Sequence, residues 1–267
     1  MTSREDVNRL TEASRRLVEM ARRDIRGLMA TMNLSNPEAV KATLMEIVPV
    51  LVREYGDLSA IAAAEWYEEI RAASNAAGAH ASVLSDGIED GRVRASVGQA
   101  AGALWTDDPL GTLRSLEASI QRHIKYSSRD TIRRNVGQDR AKPRYARVPR
   151  GRITCSFCLI LSSRGFVYLS GKTAGKENPS HYHDDCDCEV VAEFDADGAH
   201  IAGYDPDAMF EKYSAAVEAT GGSTEPHELT KAPRRLYPDD VTDGVEPLTQ
   251  TTPPAARHRG TTRNGRS

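Results

Sequence analysis

Aromatic side chains make up only 6% of this 267-residue sequence, and no stretch approaches the roughly 18 consecutive apolar residues that a membrane-spanning helix requires. Aliphatic and alanine contacts must therefore do most of the packing, and no membrane partner is expected. The opening MTSREDVNRL has no apolar segment of the kind a secretory leader carries, so export by that route is not expected either. Single-signed charge is also missing. Lys+Arg 35 against Asp+Glu 38 gives a net charge of -3, which excludes a uniformly basic nucleic-acid binder. The chain contains no G-x-S-x-G, no H-E-x-x-H and no G-x-x-x-x-G-K-S/T, so common hydrolase, metalloprotease and phosphate-loop chemistries have no foothold. Cysteine is sparse, at four residues. In a product expected to be soluble and intracellular, four cysteines point to metal ligation or free thiols before disulfides.

What is present is unevenly distributed. Between Arg122 and Arg152 there are eleven Lys and Arg against Asp130 and Asp139, a balance of +9. From Glu177 to Glu211 there are eleven Asp and Glu and no Lys or Arg. The cysteines lie across this change of sign.

The first part of the chain reads as helices. Leu10, Leu17, Ala21, Ile25 and Leu28 fall on one helical face. Ser35-Asn36-Pro37-Glu38 has the cap, early proline and early acid of a helix start. Val40, Leu44, Ile47 and Leu51 continue that helix, which Pro49 is expected to kink or end. Gly56-Asp57 would then restart the chain, with Leu58, Ile61, Ala62, Trp66 and Ile70 as the next stripe. Trp66 reads as core, whereas Tyr67, one step round the helix, reads as an exposed aromatic suited to docking. Ile88, Val93, Val97 and Leu104 suggest a fourth helix, and Asp108-Pro109 opens a fifth through Leu110, Leu113, Leu116, Ile120 and Ile124. Such stripes are the buried faces of a helical bundle. After Pro143, Gly165–Leu169 and Glu189–Phe194 have strand-like composition, and Met209, Phe210, Tyr213 and Val217 space a short closing helix. Beyond Gly221-Gly222 the composition turns to proline, threonine and charge, which is too little apolar material to offset chain ordering. The expected fold is α+β, mainly α: a helical domain over 1–140, a small α+β module over 141–220, and a disordered tail over 221–267.

Chemistry concentrates in the module. Cys155-Ser-Phe-Cys158 is followed by His181-Tyr-His183-Asp-Asp-Cys186-Asp-Cys188. A two-residue gap lets one tight turn aim two ligands at one ion, and His183-x2-Cys186 repeats that spacing with an imidazole. Zinc takes four tetrahedral thiolate and imidazole ligands. Six candidates are present, so the spacing does not decide which four bind. Cys155 and Cys158 are the firmest, His183 with Cys186 is the geometric choice for the other two, Cys188 can replace either, and His181 ranks last. A closed four-ligand site is structural and leaves no position for an activated water. The alternatives are a disulfide or buried free thiols. Asp184, Asp185 and Asp187 read as solvated acids or, less simply, as a nuclease-like cluster. The basic window reads either as a solvated face or as non-specific DNA contact, with Arg133, Arg134, Lys142 and Arg144 as the nominated phosphate partners.

The ordered pattern Cys155-x2-Cys158, Gly165-Phe166-Val167-Tyr168, His183-x2-Cys186-x-Cys188 and Val190-Val191 resembles the head-morphogenesis domain of Mu F-like phage minor capsid proteins. Ala64-Glu65-Trp66-Tyr67 and the lead-in Arg147-Val148-Pro149-Arg150-Gly151 are similar to the form found in phages of actinobacteria. The likeness extends from the N-terminus to about residue 215. It departs from the pattern at Asp184, where a proline is expected after the histidine. The resemblance implies a non-enzymatic minor capsid protein that joins the procapsid near the portal, in contact with portal, major capsid or scaffold protein. It would be made in the host cytoplasm and remain in the capsid interior of the virion near packaged DNA. The competing readings are a zinc-stabilised nucleic-acid-binding protein and a metal-supported nuclease or transferase.

Overall fold

A computed structural model describes residues 1–150, 153–168, 186, 188–195, 200–223 and 225–242. The order of elements is α1 (Arg4–Ala30), α2 (Pro37–Ala73), α3 (Asp90–Ala100), a short 3-10 turn (Ala101–Trp105), α4 (Gly111–Gln138), β1 (Arg144–Val148), β2 (Thr154–Cys155), α5 (Ser156–Ser162), β3 (Glu189–Glu193), α6 (Pro206–Ala219), α7 (Pro226–Leu236) and β4 (Val241–Thr242). The fold is mainly helical with small sheets, as the apolar periodicity leads one to expect. β1 and β3 pair antiparallel, Arg144 opposite Glu193 through Val148 opposite Glu189, and β2 pairs parallel with β4.

Local chemistry sets the helix starts. Ser3 and Asp6 close a reciprocal capping box at α1. Asn36 accepts from Ala39 N–H at 3.3 Å, with Pro37 in the first turn of α2. Asp205 caps α6 in the same way, accepting from Ala208 N–H at 3.0 Å.

Pro49 does not end α2, the second of the two expectations for it. A proline inside a helix leaves the carbonyl four residues earlier without its donor, here that of Met45. The guanidinium of Arg94, on α3, donates to the Met45 carbonyl and makes good the loss. Gly56 does not restart the chain either. It lets α2 and α4 approach so closely that a Cβ there would stand 2.9 Å from Ser127 Oγ.

The helix carries on with its buried face turned from the expected one. Leu58 and Ile61 are exposed, whereas Ala60, Ala63, Trp66, Tyr67 and Ile70 are buried. Tyr67 is fully buried, which corrects its assignment as a docking residue. Its hydroxyl donates to Asp139 Oδ2 at 3.0 Å, and its ring packs against His80 and Phe194. Burial first, and then the Asp139 charge, push the Tyr67 phenol well above its usual range.

Two apolar cores follow. One is made only of helices, joining Val18, Ala21 and Ile25 to Leu44, Val48, Val97, Leu116 and Ile120. The other runs through Val7, Leu10, Trp66, Ile70, Ile132 and Val136 into Tyr145, Val148, Val190, Val191 and Tyr204. Residues on either side of position 140 thus contribute to one core, and α4 is long enough to reach both cores. Ordered structure also continues past residue 221, the expected start of the tail, as α7 and β4. Residues 243–267 lie outside the described ones.

Candidate metal centre

Cys155 ends β2 and caps α5, accepting from Cys158 N–H at 3.2 Å. That cap places Cys158 one turn along, with its side chain aimed inward. Cys186 and Cys188 lie just ahead of β3. Cys158 Sγ lies 3.2 Å from both Cys186 Sγ and Cys188 Sγ, and those two are 3.5 Å apart. All four cysteines are buried, and none of them is in a disulfide. The shortest separations far exceed a disulfide bond of about 2.05 Å, so the disulfide alternative is not what the chain adopts.

The trio Cys158, Cys186 and Cys188 is close enough to hold one metal ion. Cys155 is buried beside it in the same cluster, with Tyr126 and Phe157 packed against the sulfurs. His181 and His183, and the acids Asp184, Asp185 and Asp187, lie outside the described residues. Crowding of the sulfurs has an electrostatic consequence. Hydrogen bonding among the thiols, Cys155 foremost, together with burial, pushes Cys158 well above the ordinary thiol range. The bond with Cys158 lowers Cys188, but Cys186 and burial outweigh it and leave Cys188 raised as well. Neighbouring thiolates in a dry site repel one another, and a soft cation between them removes that penalty.

The surroundings supply cations from an unexpected source. Lys125 and Arg129 stand one turn apart on α4 and reach the backbone carbonyls of Cys186 and Cys188. Arg129 is 0% exposed, and its Nε donates to the Cys188 carbonyl at 3.1 Å while Nη2 donates to the Cys186 and Cys188 carbonyls at 3.1 and 2.5 Å. Lys125 Nζ donates to Glu189 Oε1 at 3.0 Å and to the Cys186 carbonyl at 3.5 Å. Glu189 is itself fully buried at the start of β3. Sequence reasoning missed this triad, although the i, i+4 spacing of Lys125 and Arg129 and a glutamate directly after the last cysteine were visible.

The same geometry revises the basic window. Arg133 is largely covered and paired with Asp130, while Arg134 pairs with Asp86 at 2.7 Å and Asp130 at 2.8 Å. Lys142 is exposed in a left-handed turn after α4, and Arg144 is half-buried on β1. Much of the +9 balance is thus spent inside the molecule: Lys125, Arg129, Arg133 and Arg134 form no free cationic face.

A family model described as "VG15 protein" matches residues 1–216, which include α1 through most of α6 and all four cysteines. The chain belongs to the VG15 protein family. The "Gene 15 protein" of Mycobacterium phage D29 is 29% identical over an alignment that covers 36% of this chain and 46% of that protein. The chain thus aligns with less than half the length of that phage protein. No solved structure matches. Family and relative together support a bacteriophage protein. Among the described residues, no helix is long and apolar enough to cross a membrane.

Proposed function

We propose that this chain is a non-enzymatic minor head protein of a bacteriophage, built round a structural zinc centre. The observation that carries the reading is the convergence of the two cysteine pairs on one buried point inside a module that shares its core with the N-terminal helices. Zinc suits the donors: a Zn–S bond of about 2.3 Å sets tetrahedral S···S edges of roughly 3.8 Å, and the three sulfurs already approach that spacing. Cys158, Cys186 and Cys188 supply three ligands, and Cys155 or His183 supplies the fourth. Such a site contributes folding energy to the module. Among the described residues, the two glutamates at the ends of β3 support a structural role. Glu189 is engaged by Lys125, and Glu193 accepts from the backbone N–H groups of Thr2, Phe194 and Asp195, so neither is free for general-base work.

The helical half would meet portal, major capsid or scaffold protein during assembly in the host cytoplasm, and the protein would stay in the capsid interior. Ile47, Val50, Leu58 and Ile61 share one face of α2 and are 42–52% exposed, which makes them the candidate contact in place of Tyr67. DNA contact is left to exposed Arg140, Lys142 and Arg150 rather than to Arg133 and Arg134.

The test is mass spectrometry of purified particles together with metal analysis of protein purified without chelator. We expect the protein in wild-type virions, about one zinc per chain, and reduced incorporation of a folded Leu58→Asp, Ile61→Asp variant. Its absence from wild-type particles would sink the head-protein reading, whereas metal-free protein would sink the zinc reading alone.

A further inference from the structure

The family match ends at residue 216, yet the described chain runs on through α7 and β4 and returns to the cysteines. Thr154 N–H donates to the Asp240 carbonyl at 3.1 Å, Val241 then stands opposite Thr154, and Thr242 stands opposite Cys155. Among the described residues β2 has no other strand partner. Leu229 and Ala232 of α7 are buried, as is Val241. The return is anchored where Lys212 of α6 pairs with Asp240 at 2.8 Å and lies over the Tyr237 ring.

We infer that residues 225–242 are a clamp belonging to the metal site, holding the Cys155–Cys158 turn against Cys186 and Cys188. The inference rests on the zinc reading. The two halves of the site are fixed by different elements. Cys186 and Cys188 are held through their carbonyls by Arg129 and Lys125 on α4, whereas Cys155 sits on a two-residue strand that pairs, among the described residues, with β4. So short a strand has little stability of its own. Local opening of β4 removes the strand pairing at Cys155 and loosens that ligand, so the rate of metal loss follows the opening of the clamp. A segment outside the region matched to the family thus sets how firmly this chain keeps its metal.

The test uses the full chain carrying Val241→Asp or Leu229→Asp, with truncation after Thr242 as the control. Zinc release to a chelating dye should be about tenfold faster or more in both aspartate variants, by analogy with other outer supports of metal ligands, and unchanged in the truncation. Alkylation of Cys155 in metal-free protein should accelerate in the same order. Should an aspartate variant misfold, Lys212→Met, which removes only the surface anchor, should still hasten both rates. Folded variants that release zinc and alkylate at the wild-type rates would overturn the clamp. Wild-type protein without zinc would instead remove the metal reading, and the alkylation rates alone would then decide whether the clamp shields Cys155.

Discussion

Arg129 is the largest fully buried side chain among the described residues, and a buried guanidinium is stable only when its donors are met. Here Nε and Nη2 donate to the carbonyls of Cys186 and Cys188 beside Glu189, so the residue positions the backbone of both cysteines. Arg129→Met should destabilise the protein by about 3 kcal/mol or more, since it leaves Glu189 and the carbonyls poorly compensated. It should also weaken zinc binding by about 10–100-fold. Urea unfolding and a competition titration with a zinc dye check the two effects, and wild-type zinc affinity in the folded variant would refute the supporting role.

His123 gives a second residue-scale prediction. It is buried on α4 with Nε2 at 3.1 Å from Ser96 Oγ, and burial, then the Arg122 charge, lower its pKa to about 4. The folded protein therefore resists protonation that the unfolded chain accepts below about pH 6.5. Stability should fall as pH drops through the window from about 6.5 to about 4, by up to roughly 3 kcal/mol. In His123→Asn the loss over that window should be smaller; equal slopes in the two proteins would remove His123 from the account.

At the scale of elements, the close approach of α2 and α4 is the most exposed to a single substitution. Gly56→Ala should cost about 1–3 kcal/mol by driving a methyl into Ser127 Oγ. Adding Ser127→Ala should restore most of it, and a double-mutant cycle read by thermal unfolding decides the matter. The local signals of α1, the start of α2, α6 and β3 were legible because caps, prolines and periodicity act within a few residues. The unbroken α2 was not, since the group that repairs Pro49 sits on Arg94, a helix away in the sequence. Nor was the burial of Lys125 and Arg129. A run of cations looks the same in sequence whether it faces water or carbonyls some sixty residues further on. Glu193 makes the same point at longer range, since one of its donors is the backbone of Thr2. The cysteines themselves were legible from spacing, but the spacing could not choose among six ligands, and the two histidines lie outside the described residues.

For the whole molecule, the two cores predict a graded response to metal removal. The core shared by α1, α2, α4, β1 and β3 adjoins the cysteine cluster through β3, whereas the all-helical core does not include that strand. Chelation, or Cys158→Ser, should speed amide exchange in β1, β3 and the second half of α4. Amides near Leu44, Leu116 and Ile120 should keep their protection. Uniform loss of protection would mean that the two cores open as one cooperative unit.

α4 also constrains how this protein can change over evolutionary time. Its first half presents Leu116, Ile120 and Ile124 to one core, and its second half presents Ile132 and Val136 to the other, with Lys125 and Arg129 between them. Each residue advances an α-helix by about 100°, so inserting or deleting one between Ile124 and Ile132 would turn the second set away from its partners. About seven residues, close to two whole turns, is the smallest change that nearly restores the facing. Length differences among related chains should therefore collect in the connections on either side of this helix, leaving the interval from Leu116 to Val136 fixed like the spacing of teeth on a gear.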